Sequence, residues 1–279
     1  MLAPSMVLAG GIIAYPLWEL LELTTHQISR FGVVQQFTGA RNLGHVLDDA
    51  AFYGTLARTG IWTVVVVGIT VLVAAGVALV LNQEFHARAL ARALVMLPWA
   101  VSVTMLTVVW RWALAGQGGL VNLTLQELGL LRSSIVWLAD AGTAFPLAMG
   151  IGVLVSIPFT TTVFLGGLSS LPGEIYEAAS IDGASRWQQF SRLTLPLMRP
   201  YLNLAIVLNV IYVFNSFSVV WVLTEGGPAD STDVIVTYLF KLAFVFGRLG
   251  DAGAVSLLTF ALLLALTLVY LRAFRQAEA

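Results

Sequence analysis

Long uninterrupted apolar runs constrain the fold of this chain more than any other feature of its sequence. The clearest is "GIWTVVVVGITVLVAAGVALVL", residues 60–81, which contains no charged side chain. A helix needs about 20 apolar residues to cross a bilayer, whereas a strand of a membrane barrel needs only about 10 residues with an alternating pattern. The runs in this chain are long and do not alternate, so the sequence predicts an all-α membrane protein.

Six segments have the length and apolarity of a transmembrane helix, and we predict that they form a single membrane domain over residues 1–279. They are approximately residues 2–23, 60–81, 93–114, 144–168, 201–223 and 252–271. The first is the weakest of the six, because Glu19 and Glu22 lie near its end.

The composition agrees with a bilayer as the main solvent. Charged residues make up 10% of the chain, compared with about 25% in a typical soluble domain. The net charge of −1 creates no basic field of the kind that attracts nucleic acid. The chain has no cysteine, and His26, His45 and His86 are far apart. We therefore expect no nucleic-acid partner and no metal site.

An even number of spans places both termini on the same side of the membrane. Arginines are denser near the span ends in loops 82–92 and 169–200 and in the tail after residue 271 than in the remaining loops. Because arginine and lysine in short loops favour the cytoplasmic side, we expect both termini to be cytoplasmic.

One cytoplasmic segment, "EIYEAASIDGASRWQQFSRLTLPLMRP" at residues 174–200, is polar and patterned. We expect one helix over 174–182 and another over 186–193, with Gly183 at the bend. Ser185 and Gln188 fit a capping box for the second helix, and Pro196 is expected to end it. The pattern leaves two interpretations open: an amphipathic connector at the membrane interface, or a rigid knob that inserts into a partner protein.

The motif "EAASIDGA" followed by "LTLP" resembles the EAA signature of the inner-membrane permease subunits of bacterial ABC importers. The segments "LPWAVSVTMLTVVWRW" at 97–112 and "LTEGGPADSTDVIVTYLFKLAF" at 223–244 resemble the carbohydrate-importer branch, which includes the maltose and glycerol-phosphate permeases. The resemblance implies a type I importer permease fold with a cytoplasmic coupling helix in loop 171–200. It also implies that the loop couples to the ATPase through Glu177, Ala178, Ala179, Asp182, Gly183, Ala184, Leu195 and Pro196.

The same resemblance implies the partners of the chain and its location. The partners are a second homologous permease subunit, an ATPase dimer, an extracytoplasmic solute-binding protein and the lipid bilayer of the bacterial inner membrane. The sequence contains no glycine-rich phosphate-binding loop ending in Lys-Ser or Lys-Thr. We therefore expect no enzymatic activity and no cofactor in this chain, with ATP and Mg²⁺ bound by the partner subunits.

Polar residues inside the spans indicate where a solute could pass. Asn209, Tyr212 and Ser216 are spaced i, i+3 and i+7 in the fifth span, which places them on one helical face. Pro158 interrupts the hydrogen-bond ladder of the fourth span. The maltose branch implies binding residues in the same two spans. The combined candidates for solute binding are Ser156, Phe159, Asn209, Tyr212, Val213 and Ser216.

Two of these candidates depart from the family pattern. Phe159 stands where the maltose branch can have tyrosine, and Val213 where it can have asparagine, so a maltose-like ligand is in doubt. Hydrogen bonding between helices is an alternative role for the polar residues of the spans.

The sequence therefore predicts a permease subunit that forms half of the pore for a sugar or related polyol. The alternatives are a permease for another solute, such as glycerol phosphate, or a membrane scaffold or enzyme with an interfacial helix.

Overall fold

A computed structural model describes residues 3–278, with their side chains except at residues 3–7, 9, 271 and 273–278. The chain is mostly helical, with one short antiparallel hairpin that the sequence did not predict. In chain order the elements are α1 (Ala3–Thr25), β1 (His26–Ile28), β2 (Val34–Phe37), α2 (Arg41–Leu47), α3 (Ala50–Asn82), α4 (Arg88–Ala100), α5 (Val103–Ala113), α6 (Leu120–Glu127), α7 (Ala141–Ser169), α8 (Gly173–Ile181), α9 (Arg186–Gln189), a π turn (Phe190–Thr194), α10 (Leu195–Leu197), α11 (Arg199–Phe214), α12 (Phe217–Thr224), α13 (Ile235–Phe240), a π turn (Lys241–Val245) and α14 (Leu249–Glu278).

Three helices of the described chain are long and apolar enough to cross a membrane: α3, α7 and the Leu249–Tyr270 part of α14. Two bent helix pairs raise this number to five if each pair forms one span. They are α4 with α5, bent by 94°, and Arg186–Leu197 with α11, bent by 60°. The first predicted span coincides with α1, which is outside this set, and its Leu2 lies outside the described residues. Six spans in one domain therefore stay a prediction.

The predicted third span, residues 93–114, differs from the structure because it is broken in the middle. α4 ends at Ala100, and Val101 is extended with φ −104° and ψ 143°. Pro98 lies inside the last turn of α4, where a proline removes a ladder hydrogen bond and bends the helix. The apolar run is continuous across this break, so its length alone could not reveal the bend.

The predicted fifth span, residues 201–223, also consists of two helices. α11 ends at Phe214, and α12 begins at Phe217. The side-chain amide of Asn215 donates a hydrogen bond to the carbonyl oxygen of Ile211 at 2.9 Å. This carbonyl would accept the next ladder bond of a continuing helix, so the side chain competes with the backbone where the helix stops.

The described chain forms two compact units, one containing the residues up to Ala57 together with those from Val234 onward, and the other containing Arg58–Asp233. In the first unit α1 packs along α14. Gly253 allows this close approach, because a Cβ atom there would lie 2.8 Å from Cβ of Leu23. The buried amide of Asn42 donates hydrogen bonds of 2.9 Å to the carbonyl oxygens of Thr24 and His26, which satisfies backbone groups at the end of α1.

In the second unit, α7 packs against α4, α11 and α12. Trp62 is fully buried, and a Cβ atom on Gly152 would lie 3.2 Å from its ring. The absence of a side chain at Gly152 therefore eases the close approach of α7 to α3. A second cluster of buried apolar side chains lies further along these helices and consists of Ala74, Ala78, Phe164, Leu168, Met198 and Ala205.

Candidate functional sites

The first candidate site is a bent pair of helices, residues 173–189, which we call the elbow. α8 ends in a Schellman motif. The N–H of Ala184 donates to the carbonyl oxygen of Ala179 at 2.9 Å, and the N–H of Gly183 donates to that of Ser180 at 3.1 Å. Gly183 has φ +78°, a conformation that glycine adopts without the steric penalty of a side chain. The predicted bend at this glycine is confirmed.

Hydrogen bonds on both sides of the bend hold the elbow in one shape. The hydroxyl of Ser185 accepts from the N–H of Gln188 at 3.3 Å, and the side chain of Gln188 accepts from the N–H of Ser185 at 2.7 Å. The predicted capping box is therefore confirmed. The amide of Gln189 donates to the hydroxyl of Ser180 at 3.0 Å and to the carbonyl oxygen of Ala184 at 3.3 Å, which links the second helix to the first.

The segment after the bend extends further than the sequence predicted. Pro196 was expected to end the second helix, but helical structure continues through a π turn and α10 to Leu197. The backbone hydrogen bonds are already shifted in the π turn, so a residue without an N–H can follow it. Tyr176 and Thr194 are joined through their hydroxyl groups at 2.9 Å, which ties this segment back to α8.

The surface of the elbow carries large exposed apolar side chains. Ile181 is 87% exposed and Trp187 is 72% exposed. Trp187 and Phe190 lie three residues apart but differ in environment, because Trp187 is exposed while Phe190 lines a small apolar cavity with Phe164. Exposed apolar groups of this size are typical of an interaction surface. Sequence reasoning did not single out Ile181, although it lies four residues after Glu177 and therefore on the same face of α8.

The structure brings together six of the eight residues predicted to couple to an ATPase. The six on the elbow are Glu177, Ala178, Asp182 and Gly183, which are exposed, and Ala179 and Ala184, which are half-buried. The other two, Leu195 and Pro196, lie on α10, beyond the π turn. The role of these residues in coupling stays a prediction.

The second candidate site is a cavity of about 290 Å³ between α4, α7 and α11. Its lining residues are Trp99, Val155, Ser156, Phe159, Leu208, Asn209 and Tyr212. The volume is at the lower limit of the range that is typical of small-molecule pockets, about 300–1,000 Å³. The cavity therefore suits a small solute or one ring of a larger solute.

Four of the six predicted solute-binding residues line this cavity: Ser156, Phe159, Asn209 and Tyr212. The other two do not. Val213 is buried, and its carbonyl oxygen accepts a hydrogen bond of 3.0 Å from Nε1 of Trp62. Ser216 lies beyond the end of α11 and precedes α12. The predicted i+7 spacing assumed a continuous helix, and the break at Asn215 removes Ser216 from the shared face.

Some of the polar groups that line the cavity already form hydrogen bonds within the protein. The amide nitrogen of Asn209 donates at 2.8 Å both to the hydroxyl of Thr160 and to the carbonyl oxygen of Ala205. The hydroxyl of Ser156 donates to the carbonyl oxygen of Gly152 at 2.8 Å. The side-chain carbonyl of Asn209 and the half-exposed Tyr212 remain as polar groups for a ligand.

Trp99 is a lining residue that sequence reasoning missed. Its ring centroid lies 6.0 Å from that of Phe159, with 49° between the ring planes. Its position after Pro98 was the available signal, because the break in the helix brings the end of α4 to the cavity. Two aromatic faces next to a few hydrogen-bonding groups form a surface on which a sugar ring could pack.

Comparisons with known proteins relate the whole chain to a family of membrane transport components. The family described as "Binding-protein-dependent transport system inner membrane component" matches residues 67–276. The chain is 51% identical to a probable ABC transporter permease protein of Brucella suis biovar 1 (strain 1330), over 100% of this chain and 96% of that protein. It is 34% identical to the trehalose/maltose transport system permease protein of Thermococcus litoralis, over 99% of this chain and 92% of that protein.

The fold also matches a solved structure. A chain of a bacterial ABC transporter involved in the import of the acidic polysaccharide alginate superposes with a TM-score of 0.84 and 22% identity, over 99% of this chain and 94% of that chain. The predicted all-α permease fold is confirmed, and the protein is a non-enzymatic, multi-pass subunit of the inner membrane that acts with a binding protein. The chain belongs to the family of inner-membrane permease components of binding-protein-dependent ABC transport systems.

Proposed function

We propose that this chain forms half of the pathway by which an ATP-driven importer moves a sugar or a related polyol across the inner membrane. Its companions are a second homologous permease subunit, a pair of ATPase subunits and an extracytoplasmic binding protein. Two relatives support a carbohydrate, because one is a trehalose/maltose transport system permease and another is a sulfoquinovosyl glycerol transport system permease.

The elbow is the observation that carries this proposal. A surface fixed by a Schellman motif and a capping box can transmit force, whereas a flexible loop would absorb it. The exposed Ile181 and Trp187 would fill an apolar cleft of the ATPase, and Glu177 would face a basic residue there. Both termini lie on the same side of the membrane as the elbow, in the cytoplasm.

Transport follows from linkage between the elbow and the cavity. ATP binding closes the ATPase pair and moves the two elbows of the permease dimer together. A shift of the permease from an inward-open to an outward-open state requires that ATP and the loaded binding protein each favour one state. ATP and Mg²⁺ are bound by the partner subunits in this scheme.

The cavity supports a neutral solute more than an anionic one. Among the described residues, its lining includes no arginine, lysine or histidine, and an anion taken out of water requires a compensating charge. A permease for glycerol phosphate is therefore the weaker candidate.

Reconstituted complexes provide the test. We expect Glu177→Gln to abolish the stimulation of ATP hydrolysis by loaded binding protein and to abolish sugar uptake, while the complex still assembles in the membrane. Glu84→Gln is a matched control, because Glu84 is an exposed acidic residue in the other cytoplasmic loop of this proposal.

Unchanged stimulation of the ATPase in Glu177→Gln would contradict the role of the elbow. Purified complexes that contain no ATPase subunit would instead support a membrane scaffold, and uptake of a phosphorylated polyol in place of sugars would support the alternative solute.

A further inference from the structure

A third feature, which neither the coupling nor the transport cavity uses, lies between the β-hairpin and the π turn before α14. It is an open cavity of about 570 Å³. Its lining includes Arg30, Phe31, Phe244 and Val245, which we call the hairpin patch. Phe31 is 94% exposed and Phe244 is 73% exposed. Such exposed aromatic residues on a folded surface indicate contact with another phase or molecule.

The position of the hairpin patch along the chain points to the membrane interface. The hairpin follows α1 directly, and the π turn ends at Val245, shortly before α14 begins at Leu249. α1 and α14 pack along each other, and α14 is one of the helices apolar enough to cross a bilayer. If α1 and α14 both cross the bilayer, as the sequence predicts, the patch lies where they leave the hydrocarbon core, at the depth where aromatic and arginine side chains are enriched.

Hydrogen bonds within the hairpin turn satisfy most of its backbone N–H groups. The hydroxyl of Ser29 accepts hydrogen bonds from the N–H groups of Phe31 and Val33 at 3.3 and 3.1 Å. The backbone of Ser29 pairs with Val33 at 2.9 Å and with Gly32 at 3.0 Å. Unpaired backbone groups are costly where lipid replaces water, and these bonds satisfy the N–H groups of Ser29, Phe31, Gly32 and Val33 while the turn displays the side chain of Phe31.

Charge in the hairpin patch matches a phosphate group. Arg30 is exposed, and in the described part of the chain no carboxylate lines this cavity with it. Its side chain lies against Gly247, where an added Cβ atom would be 3.0 Å from Nε of Arg30. The absence of a side chain at Gly247, whose φ of +67° also favours glycine, leaves room for the Arg30 side chain at the cavity.

We propose that the hairpin patch binds a phospholipid headgroup, with Arg30 on the phosphate and with Phe31 and Phe244 at the acyl boundary. A guanidinium presents several N–H donors to a phosphate, and aromatic side chains beside it fill the interfacial layer. This contact anchors the packed ends of α1 and α14 at a fixed depth. It does not depend on which solute the importer carries.

Spin-label depth measurements test the proposal on the full importer complex. The chain contains no cysteine, so Phe31→Cys provides one labelling position in it once the other subunits are cysteine-free. In phosphatidylglycerol vesicles we expect a severalfold higher ratio of oxygen to nickel-chelate accessibility at position 31 than at Ser133→Cys, an exposed loop position. A label at 31 that is open to the nickel chelate, or shielded from both reagents by a protein partner, would overturn the proposal.

A second variant in the same experiment tests the contact between Arg30 and the phosphate. Adding Arg30→Gln to the Phe31→Cys variant removes the cation, and we expect the accessibility ratio at position 31 to fall towards that of Ser133→Cys. Arg132→Gln is the control, because Arg132 is an exposed arginine outside the patch. An unchanged ratio in Arg30→Gln would overturn the assignment of the headgroup phosphate to Arg30.

Discussion

Asn209 is placed to combine both roles that the sequence left open for polar residues in the spans. It is only 1% exposed, yet it lines the cavity in which we place the solute. Its amide nitrogen joins α11 to α7 through Thr160, so it stabilises the helix pair. The same bonds orient its side-chain carbonyl, which a ligand hydroxyl can use as an acceptor.

A double-mutant cycle on Asn209 and Thr160 separates these roles. Asn209→Leu and Thr160→Val should each lower the stability of the purified complex, because each removes the hydrogen bond between α7 and α11. Such bonds between membrane helices contribute about 0.6 kcal/mol on average, so the double variant should lose less than the sum by about that amount. Denaturant unfolding measures the coupling, and strictly additive losses would contradict it. Asn209→Leu alone should also raise the KM for transport.

Tyr238 lies in α13, in the unit that also contains the hairpin. We predict that it makes the stability of the protein sensitive to alkaline pH. Burial, followed by the hydrogen bond of 2.8 Å that its hydroxyl donates to Asp49, raises the pKa of Tyr238 above its usual value. A group whose folded-state pKa is raised stabilises the fold below its unfolded pKa, about 10 for tyrosine, and loses this contribution as the pH rises. As the pH is raised from 8 to 12, thermal unfolding should show a smaller loss of stability in Tyr238→Phe than in the unaltered protein. An equal slope in both proteins would contradict the prediction.

At the scale of elements, the sequence correctly predicted those features that depend on contacts between residues close in the chain. The bend at Gly183 and the capping box of Ser185 depend on residues within a few positions of each other, and both are found in the structure. The breaks at Val101 and Asn215 were missed, because an apolar run of given length is compatible with a straight or a broken helix. Contacts between residues distant in sequence also contribute near the second break. One is the hydrogen bond from Trp62 to the carbonyl oxygen of Val213, which spans 151 residues.

The capping box of the elbow leads to a measurable prediction. Ser185→Ala removes a cap that is typically worth about 1 kcal/mol, so the amides at the start of α9 should exchange about fivefold faster with solvent deuterium. Ser191→Ala is the control, because its hydroxyl donates only to the carbonyl oxygen of Trp187, within the same helical segment. If protection of α9 were unchanged in Ser185→Ala, the cap would not determine the shape of the elbow.

At the scale of the whole molecule, both candidate transport sites belong to the unit formed by Arg58–Asp233. The sequence predicted two of the three helices that line the cavity, because polar residues stand out in an apolar span. It did not identify the third, since Trp99 is an unremarkable aromatic residue in such a run and reaches the cavity only through the break between α4 and α5. Packing across distant segments therefore determines which of the predicted residues meet.

Trp99 accordingly provides the sharpest test of the cavity in the assembled importer. Trp99→Ala removes one aromatic wall, and aromatic contacts are worth about 0.5–1.5 kcal/mol, so the KM for sugar transport should rise about two- to tenfold. Stimulation of the ATPase by loaded binding protein should persist, because the elbow is unaltered. Trp112→Ala is a matched control, because Trp112 is equally exposed, at 60% compared with 59% for Trp99, but lies outside this cavity. If Trp99→Ala transports sugar with an unchanged KM, the solute does not pass through this cavity, since an aromatic wall cannot be removed from its path without weakening its binding.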